Sequence, residues 1–305
     1  MTGGKITGMK VILDPKGGIC DGVCRAIELA ETELAKSDNR IYVLGDIIHN
    51  EREIERLHRA GLKTLHNSDL EALGEQGTVR EERILIRAHG EPPATFHKLS
   101  ELGVTVIDGT CPVVTKSQRL AEKYSRAGYQ VAIVGKHNHP EMIGIIGHTD
   151  HRAVIVQYIE DVKKLKRGTP TLVMAQTTIS PDHFHEMSER IREWVGEVEI
   201  RDTICRSVVK RSRNLVDFAG RVDVLLVVGG HKSSNTRMLH DLCLKVNPRS
   251  YLVATPEEID PEWFKEARTV GVTGSASTPL WLLQEFVQTL ESWVSRDEHP
   301  EGVKQ

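Results

Sequence analysis

Three cysteines, Cys20, Cys111 and Cys205, recur 91 and 94 residues apart, each at the same point of one local pattern. An internal period of this length restricts the architecture more than any other feature of the chain. Each cysteine follows a β-like run: Lys10-Val-Ile-Leu-Asp14, Val104-Thr-Val-Ile-Asp108 and Val198-Glu-Ile-Arg-Asp202. A helical segment comes next, with Ala26-Ile27, Leu120-Ala121 and Leu215-Val216 among its apolar positions. A second strand follows in every copy, over Ile41–Leu44, Val131–Val134 and Val224–Val228, and closes on Gly45, Gly135 and Gly229. The interval from cysteine to glycine is 25, 24 and 24 residues, a regularity chance does not keep three times. A third strand, over Ile84–Ile86, Thr171–Met174 and Thr269–Thr273, ends each copy in a polar tip.

Strands alternating with helices point to βαβ units and parallel sheets. The expected fold class is therefore α/β: three small parallel-sheet domains in a pseudo-threefold, trefoil-like arrangement. The repeat sets the expected boundaries at 1–110, 111–204 and 205–292, with a polar C-terminal tail over 293–305. Right-handed crossovers would place the ligand-binding strand ends on one side of each sheet.

Composition narrows the function classes. Over 305 residues, 39% hydrophobic and 27% charged residues suffice for real cores and exclude collagen-like, coiled-coil and wholly disordered chains. A formal charge of −3 gives no electrostatic reason to expect nucleic acid or an anionic membrane. The longest apolar stretches, such as Val222–Val228, are strand-length and far short of the roughly 20 residues that span a bilayer. Met1–Lys10 has no apolar signal core, so a cytoplasmic protein with reduced thiols is expected. The Gly- and Thr-rich start reads as an extension before Met9, and Ser295–Gln305 as a frayed end.

Five scattered cysteines do not make a disulfide scaffold, and the absence of any Cys-x-x-Cys pair excludes a zinc ribbon or an ordinary ferredoxin loop. Three equivalent cysteines, if they converge, suit zinc or an iron–sulfur cluster, and three thiolates leave one metal position open. Each also stands where a strand turns into a helix, a place that favours the thiolate. The other reading, buried structural cysteine, stays open at this stage. Cys243 in Leu242-Cys-Leu244 reads as a core residue, and Cys24, one helical turn after Cys20, as a bystander or a fourth ligand.

The tips are polar where a scaffold would be apolar. Four residues past each second-strand glycine stand His49, His139 and Ser233, the last in Ser233-Ser234-Asn235. The third-strand tips add His89, Thr177 and Ser277. Histidine, serine and asparagine donors suit a phosphate or diphosphate, and neither a Walker loop nor a Gly-x-Gly-x-x-Gly fingerprint competes for that role. Glu141, two residues after His139, is the best carboxylate for proton transfer. Its other reading is a helix N-terminal charge after Pro140.

Over roughly Met9 to Ser292 the chain resembles the IspH/LytB family of 4-hydroxy-3-methylbut-2-enyl diphosphate reductases. The motifs that carry the resemblance are Cys20-Asp-Gly-Val, Ile48-His49-Asn50, Ala88-His89-Gly90, Thr110-Cys111-Pro112, His139-Pro-Glu141, Gln176-Thr-Thr178, Cys205, Ser233-Ser-Asn235 and Ser275-Ala-Ser277. The resemblance implies three α/β domains around a central [4Fe–4S] cluster held by Cys20, Cys111 and Cys205, with the fourth iron open to substrate. It implies a diphosphate gripped by His49, His89, His139, Ser233, Ser234, Asn235 and Ser277. Glu141 would supply protons and Thr177 would lie near the substrate's hydroxymethyl group. The implied reaction is a two-electron reductive dehydroxylation of an allylic diphosphate, fed by a ferredoxin or flavodoxin. The alternatives are a LytB-like paralogue with another substrate and a non-catalytic iron–sulfur redox sensor. Two stretches depart from the family pattern: Asp14-Pro-Lys-Gly-Gly-Ile-Cys20 is one residue longer, with Ile19 for the usual aromatic, and Val208 and Val209 replace the usual threonines after Cys205.

Overall fold

A computed structural model describes residues 8–36, 41–70, 82–231 and 233–298. The start before Gly8 and the end after Glu298 lie outside the described residues. Twelve described strands form three parallel four-stranded sheets. β1 is Lys10–Leu13, β2 Ile41–Leu44, β3 Lys63–Leu65, β4 Arg83–Ile86, β5 Thr105–Asp108 and β6 Gln130–Val134. β7 is Val154–Val156, β8 Thr171–Ala175, β9 Val198–Arg201, β10 Val224–Val228, β11 Ser250–Val253 and β12 Thr269–Gly274. The described helices are α1 (Asp21–Lys36), α2 (Glu51–Arg59), α3 (Pro93–Glu101), α4 (Pro112–Arg126), α5 (Pro140–Gly147), α6 (Pro181–Val195), α7 (Arg206–Ala219), α8 (Ser234–Leu244) and α9 (Leu280–Glu298).

The sheets run β3-β2-β4-β5, β7-β6-β8-β9 and β11-β10-β12-β1. All three share one plan: a short edge strand, the second strand of the repeat, the third strand, and then a strand that precedes a cysteine. That last strand belongs to the sheet of the preceding repeat, not to its own. β5 pairs with β4, β9 with β8, and β1 pairs with β12, Lys10 opposite Thr269 and Leu13 opposite Val272. Residues 10–13, counted by the repeat in the 1–110 domain, therefore lie in the third sheet. Each cysteine sits where the chain leaves one sheet for the next. The edge strands Lys63–Leu65, Val154–Val156 and Ser250–Val253 are additions to the three strands expected per repeat.

By contact density the chain divides into two compact units. One comprises residues 1–20, 49–53 and 210–305 and holds the third sheet; the other comprises 21–48 and 54–209 and holds the first two. Helices cover both faces of a parallel sheet, so its strands read as continuous apolar runs. In β10 every residue from Val224 to Val228 is fully buried, with Phe286 and Leu290 on one face and Leu215 and Leu239 on the other. Trp293 and Val294 continue the apolar stripe of Leu283, Phe286 and Leu290. For that reason α9 extends to Glu298 and the tail does not begin at 293.

Candidate active site

The passage into each cysteine is built the same way three times. An aspartate ends the strand and folds its carboxylate back onto the chain two residues on: Asp14 Oδ1 accepts from Lys16 N–H at 2.9 Å, Asp108 Oδ1 from Thr110 at 2.9 Å, and Asp202 Oδ1 from Ile204 at 3.0 Å. These Asx turns redirect the backbone. Each cysteine N–H then donates to a third-strand tip: Cys20 to Ala276 O at 3.3 Å, Cys111 to Ala88 O at 3.0 Å and Cys205 to Thr177 O at 2.9 Å. The tips carrying Ser277, His89 and Thr177 are thus tied to one cysteine apiece. The aspartates are present in the sequence runs that mark the repeat, but nothing there shows their role.

All three cysteines are half-buried, outside any disulfide, and immediately before a helix. A Cβ on Gly22 would lie 2.6 Å from Cys111 Sγ, so α1 approaches this thiol with room for glycine alone. By its chemistry the donor set, three thiols each at a helix N-terminus, fits thiolate ligation of a cluster. Cys24 donates its thiol to Glu28 Oε1 at 3.1 Å on its own helix. Cys243 is fully buried, and burial, with the Asp14 charge adding to it, pushes its thiol up to about 12. Val209 packs against the core of the second sheet, an apolar role for one departure from the family pattern.

In the larger unit His89, His139, Glu141 and Thr177 come together. His139 caps α5, and its Nδ1 accepts the Glu141 N–H at 3.2 Å. That acceptor role puts the ring proton on Nε2, which is then a donor. The His89 and His139 rings meet edge to face with centroids 5.4 Å apart. Gly90 holds the His89 turn at φ +70, where a Cβ would fall 2.5 Å from Gln118 Nε2. Gln176 shapes the loop before His139, accepting from Lys136 N–H at 2.9 Å.

Glu141 is only 2% exposed, and both its oxygens are engaged by one residue. Oε1 accepts the Thr177 N–H at 2.8 Å and Oε2 accepts its hydroxyl at 2.7 Å. Burial raises the carboxyl, the two Thr177 bonds lower it, and burial wins: the group is pushed up to about 7. A solvated helix N-terminal charge stays ionised, whereas burial at this position raises the Glu141 carboxyl.

In the smaller unit stand Cys20, His49, Ser233, Asn235 and Ser277. The Ser234 side chain lies outside the described residues; its backbone opens α8. Ser233 caps α8, accepting from Thr236 N–H at 3.3 Å. Ser275 Oγ meets Ser277 Oγ at 2.9 Å and Thr278 Oγ1 at 3.2 Å, and Thr278 Oγ1 donates to Val228 O at 2.7 Å. This hydroxyl network lies at the carboxyl ends of β10 and β12, where parallel sheets bind ligands. Asn235 Oδ1 is buried with no hydrogen-bond partner among the described residues. The His49 carbonyl oxygen lies 3.6 Å from where a Cβ on Gly230 would be, which sets His49 beside the Ser233 loop.

A family model described as LytB protein matches residues 11–291. The 4-hydroxy-3-methylbut-2-enyl diphosphate reductase of Bacteroides thetaiotaomicron is 40% identical over 91% of this chain and 96% of its own length. The enzyme of the same name from Aquifex aeolicus is 37% identical over 92% of this chain and 96% of its own. A solved structure of (E)-4-hydroxy-3-methyl-but-2-enyl diphosphate reductase, described as the terminal enzyme of the non-mevalonate pathway, aligns with a TM-score of 0.73 and 35% identity. It covers 92% of this chain and 99% of that one. The Plasmodium falciparum E-1-hydroxy-2-methyl-but-2-enyl-4-diphosphate reductase aligns with a TM-score of 0.81 and 27% identity, covering 93% and 88%. With the match spanning nearly the whole chain, this protein belongs to the LytB family.

Proposed function

We propose that this chain is an oxidoreductase that converts 4-hydroxy-3-methylbut-2-enyl diphosphate to isopentenyl and dimethylallyl diphosphates. The C–OH bond breaks, two electrons and two protons enter, and one water leaves. The observation that carries the reading is Glu141, a buried carboxyl bonded through both oxygens to Thr177 and raised by burial in spite of those bonds, among the family's own motifs. Matched names support the substrate, and a cytoplasmic setting that keeps thiols reduced belongs to the same reading. Among the described residues no helix is long and apolar enough to cross a membrane.

Cys20, Cys111 and Cys205 would hold a [4Fe–4S] cluster, each positioned by its N–H bond to a third-strand tip. The cluster, when bound, supplies the electrons and an electrophilic iron. The protein supplies position and protons. His49, His89, His139, Ser233, Ser234, Asn235 and Ser277 would grip the diphosphate, the Nε2–H of His139 among the donors. Glu141 would deliver a proton through Thr177, whose hydroxyl donates to the carboxylate and can equally accept from the carboxylic acid. A ferredoxin or flavodoxin would supply the electrons. A sensor with four thiolates is disfavoured by the Cys24–Glu28 bond.

The test is substrate-dependent oxidation of a reduced viologen by anaerobically reconstituted protein of known iron content. Turnover with two electrons consumed per substrate is expected. A fully loaded protein that leaves the dye reduced would point to a paralogue with another substrate.

A further inference from the structure

Two stretches of the smaller unit more than 220 residues apart, around 52–53 and 281–285, are locked together by directional bonds. Asn50 Oδ1 accepts the Glu53 N–H at 3.1 Å and so caps α2 directly after His49. Glu53 is 1% exposed, and its Oε2 accepts the indole N–H of Trp281 at 2.7 Å. Arg52 binds Glu285 with both terminal nitrogens, at 2.7 and 3.1 Å, and its guanidinium lies 5.3 Å from the Trp281 ring centroid. Trp281 and Glu285 are one turn apart at the start of α9, which begins just after the Ser275–Thr278 network.

We propose that Glu53–Trp281, backed by Arg52–Glu285, is a positioning clamp that fixes His49 in register with Ser277 for a diphosphate. The proposal rests on the reading of His49 and Ser277 as diphosphate donors. α9 is already anchored by the buried Leu282, Leu283, Phe286 and Leu290, so cohesion alone does not call for the clamp. Apolar contact holds two segments together but lets them slide. Adjacent residues on one helix gripping successive turns of another fix both position and rotation, and the bidentate pair is the more restrictive. Burying a carboxylate is costly unless it is hydrogen-bonded, so the Trp281 bond also selects one arrangement over its neighbours. Glu53 stands four residues after His49, and Trp281 four after Ser277. The clamp therefore joins the two donor segments at equal chain distance.

Trp281→Phe keeps an aromatic ring at this position and removes the indole donor. It is expected to weaken binding of inorganic pyrophosphate, and to raise KM for the diphosphate substrate, by roughly tenfold. Expected kcat stays within about twofold and the cluster absorption is unchanged. Glu53→Gln retains an acceptor for the indole and should bind pyrophosphate as the parent does. The double variant Trp281→Phe/Glu53→Gln removes the buried charge left by the first change, so thermal stability should recover while pyrophosphate affinity stays low. An affinity that recovers with stability, or that never falls in Trp281→Phe, overturns the clamp. His49→Ala separates the two layers: if it leaves pyrophosphate binding intact, the assignment of His49 as a donor fails first. If it weakens binding while Trp281→Phe does not, only the clamp fails.

Discussion

Glu141 and Asp161 lie in one compact unit, in the same repeat, and both are nearly inaccessible at 2% and 6% exposure. Their carboxyls are displaced in opposite directions. Burial pushes Asp161 up as well, but Lys164 Nζ at 2.6 Å, the Tyr158 and Gln157 N–H groups at 3.0 Å each, and His137 Nε2 at 3.2 Å outweigh it. Asp161 is held well below the usual carboxylate range. Glu141 has two donors, both neutral and both from Thr177, and burial prevails. Low exposure alone therefore does not decide the state of a carboxyl; how deeply it is buried, set against the number and charge of its donors, does. Asp161 is a fixed anion that knits a loop, whereas Glu141 can exchange a proton near neutral pH.

Replacing Asp161 with alanine should cost most, because four donors lose their acceptor at once. A loss of about 3 kcal/mol or more is expected in urea unfolding at pH 7, with turnover per folded molecule unchanged. Because its folded pKa is depressed, that contribution is present above the unfolded pKa and fades as pH falls below about 4. Glu141 runs the other way. Its raised pKa makes stability greatest below about 4 and lost as pH rises through about 7. The parent should accordingly lose about 3 kcal/mol from this group between about pH 4.5 and 8, most of it below pH 7, and Glu141→Gln should lack that component. Thr177→Val removes one of the two donors and should move the alkaline end of this profile to higher pH, at a cost of roughly 1 kcal/mol. Lys164→Ala should matter least, about 0.5 kcal/mol, since that lysine is 59% exposed and three donors to Asp161 remain.

Much of this was legible in the sequence. The spacing of Cys20, Cys111 and Cys205, the strands that follow, and the polar tips emerge from period and polarity alone. The structure brings His89, His139, Glu141 and Thr177 into one unit and His49, Ser233, Asn235 and Ser277 into the other. What the sequence does not reveal is pairing. A parallel strand buried on both faces carries no local mark of its partner, so the membership of Lys10–Leu13 in the third sheet was invisible. The edge strands are three or four residues long and too brief for a period to show. The sequence places Thr177 at a tip, but its grip on Glu141 spans 36 residues, and the Glu53–Trp281 bond spans 228. Contacts at such separation are fixed by topology, which composition and motif do not encode.

The most direct measurement is the turnover of Glu141→Gln in the viologen-coupled assay, with iron content and pyrophosphate affinity measured on the same sample. Glutamine can keep both contacts to Thr177, accepting the N–H and donating to the hydroxyl, so the fold, the cluster site and the diphosphate grip should be preserved. A fall in kcat of about 10²-fold or more, with iron and pyrophosphate binding at parental levels, is expected of a proton donor. Turnover near the parental rate would contradict the assignment and return Glu141 to a structural role at the head of α5.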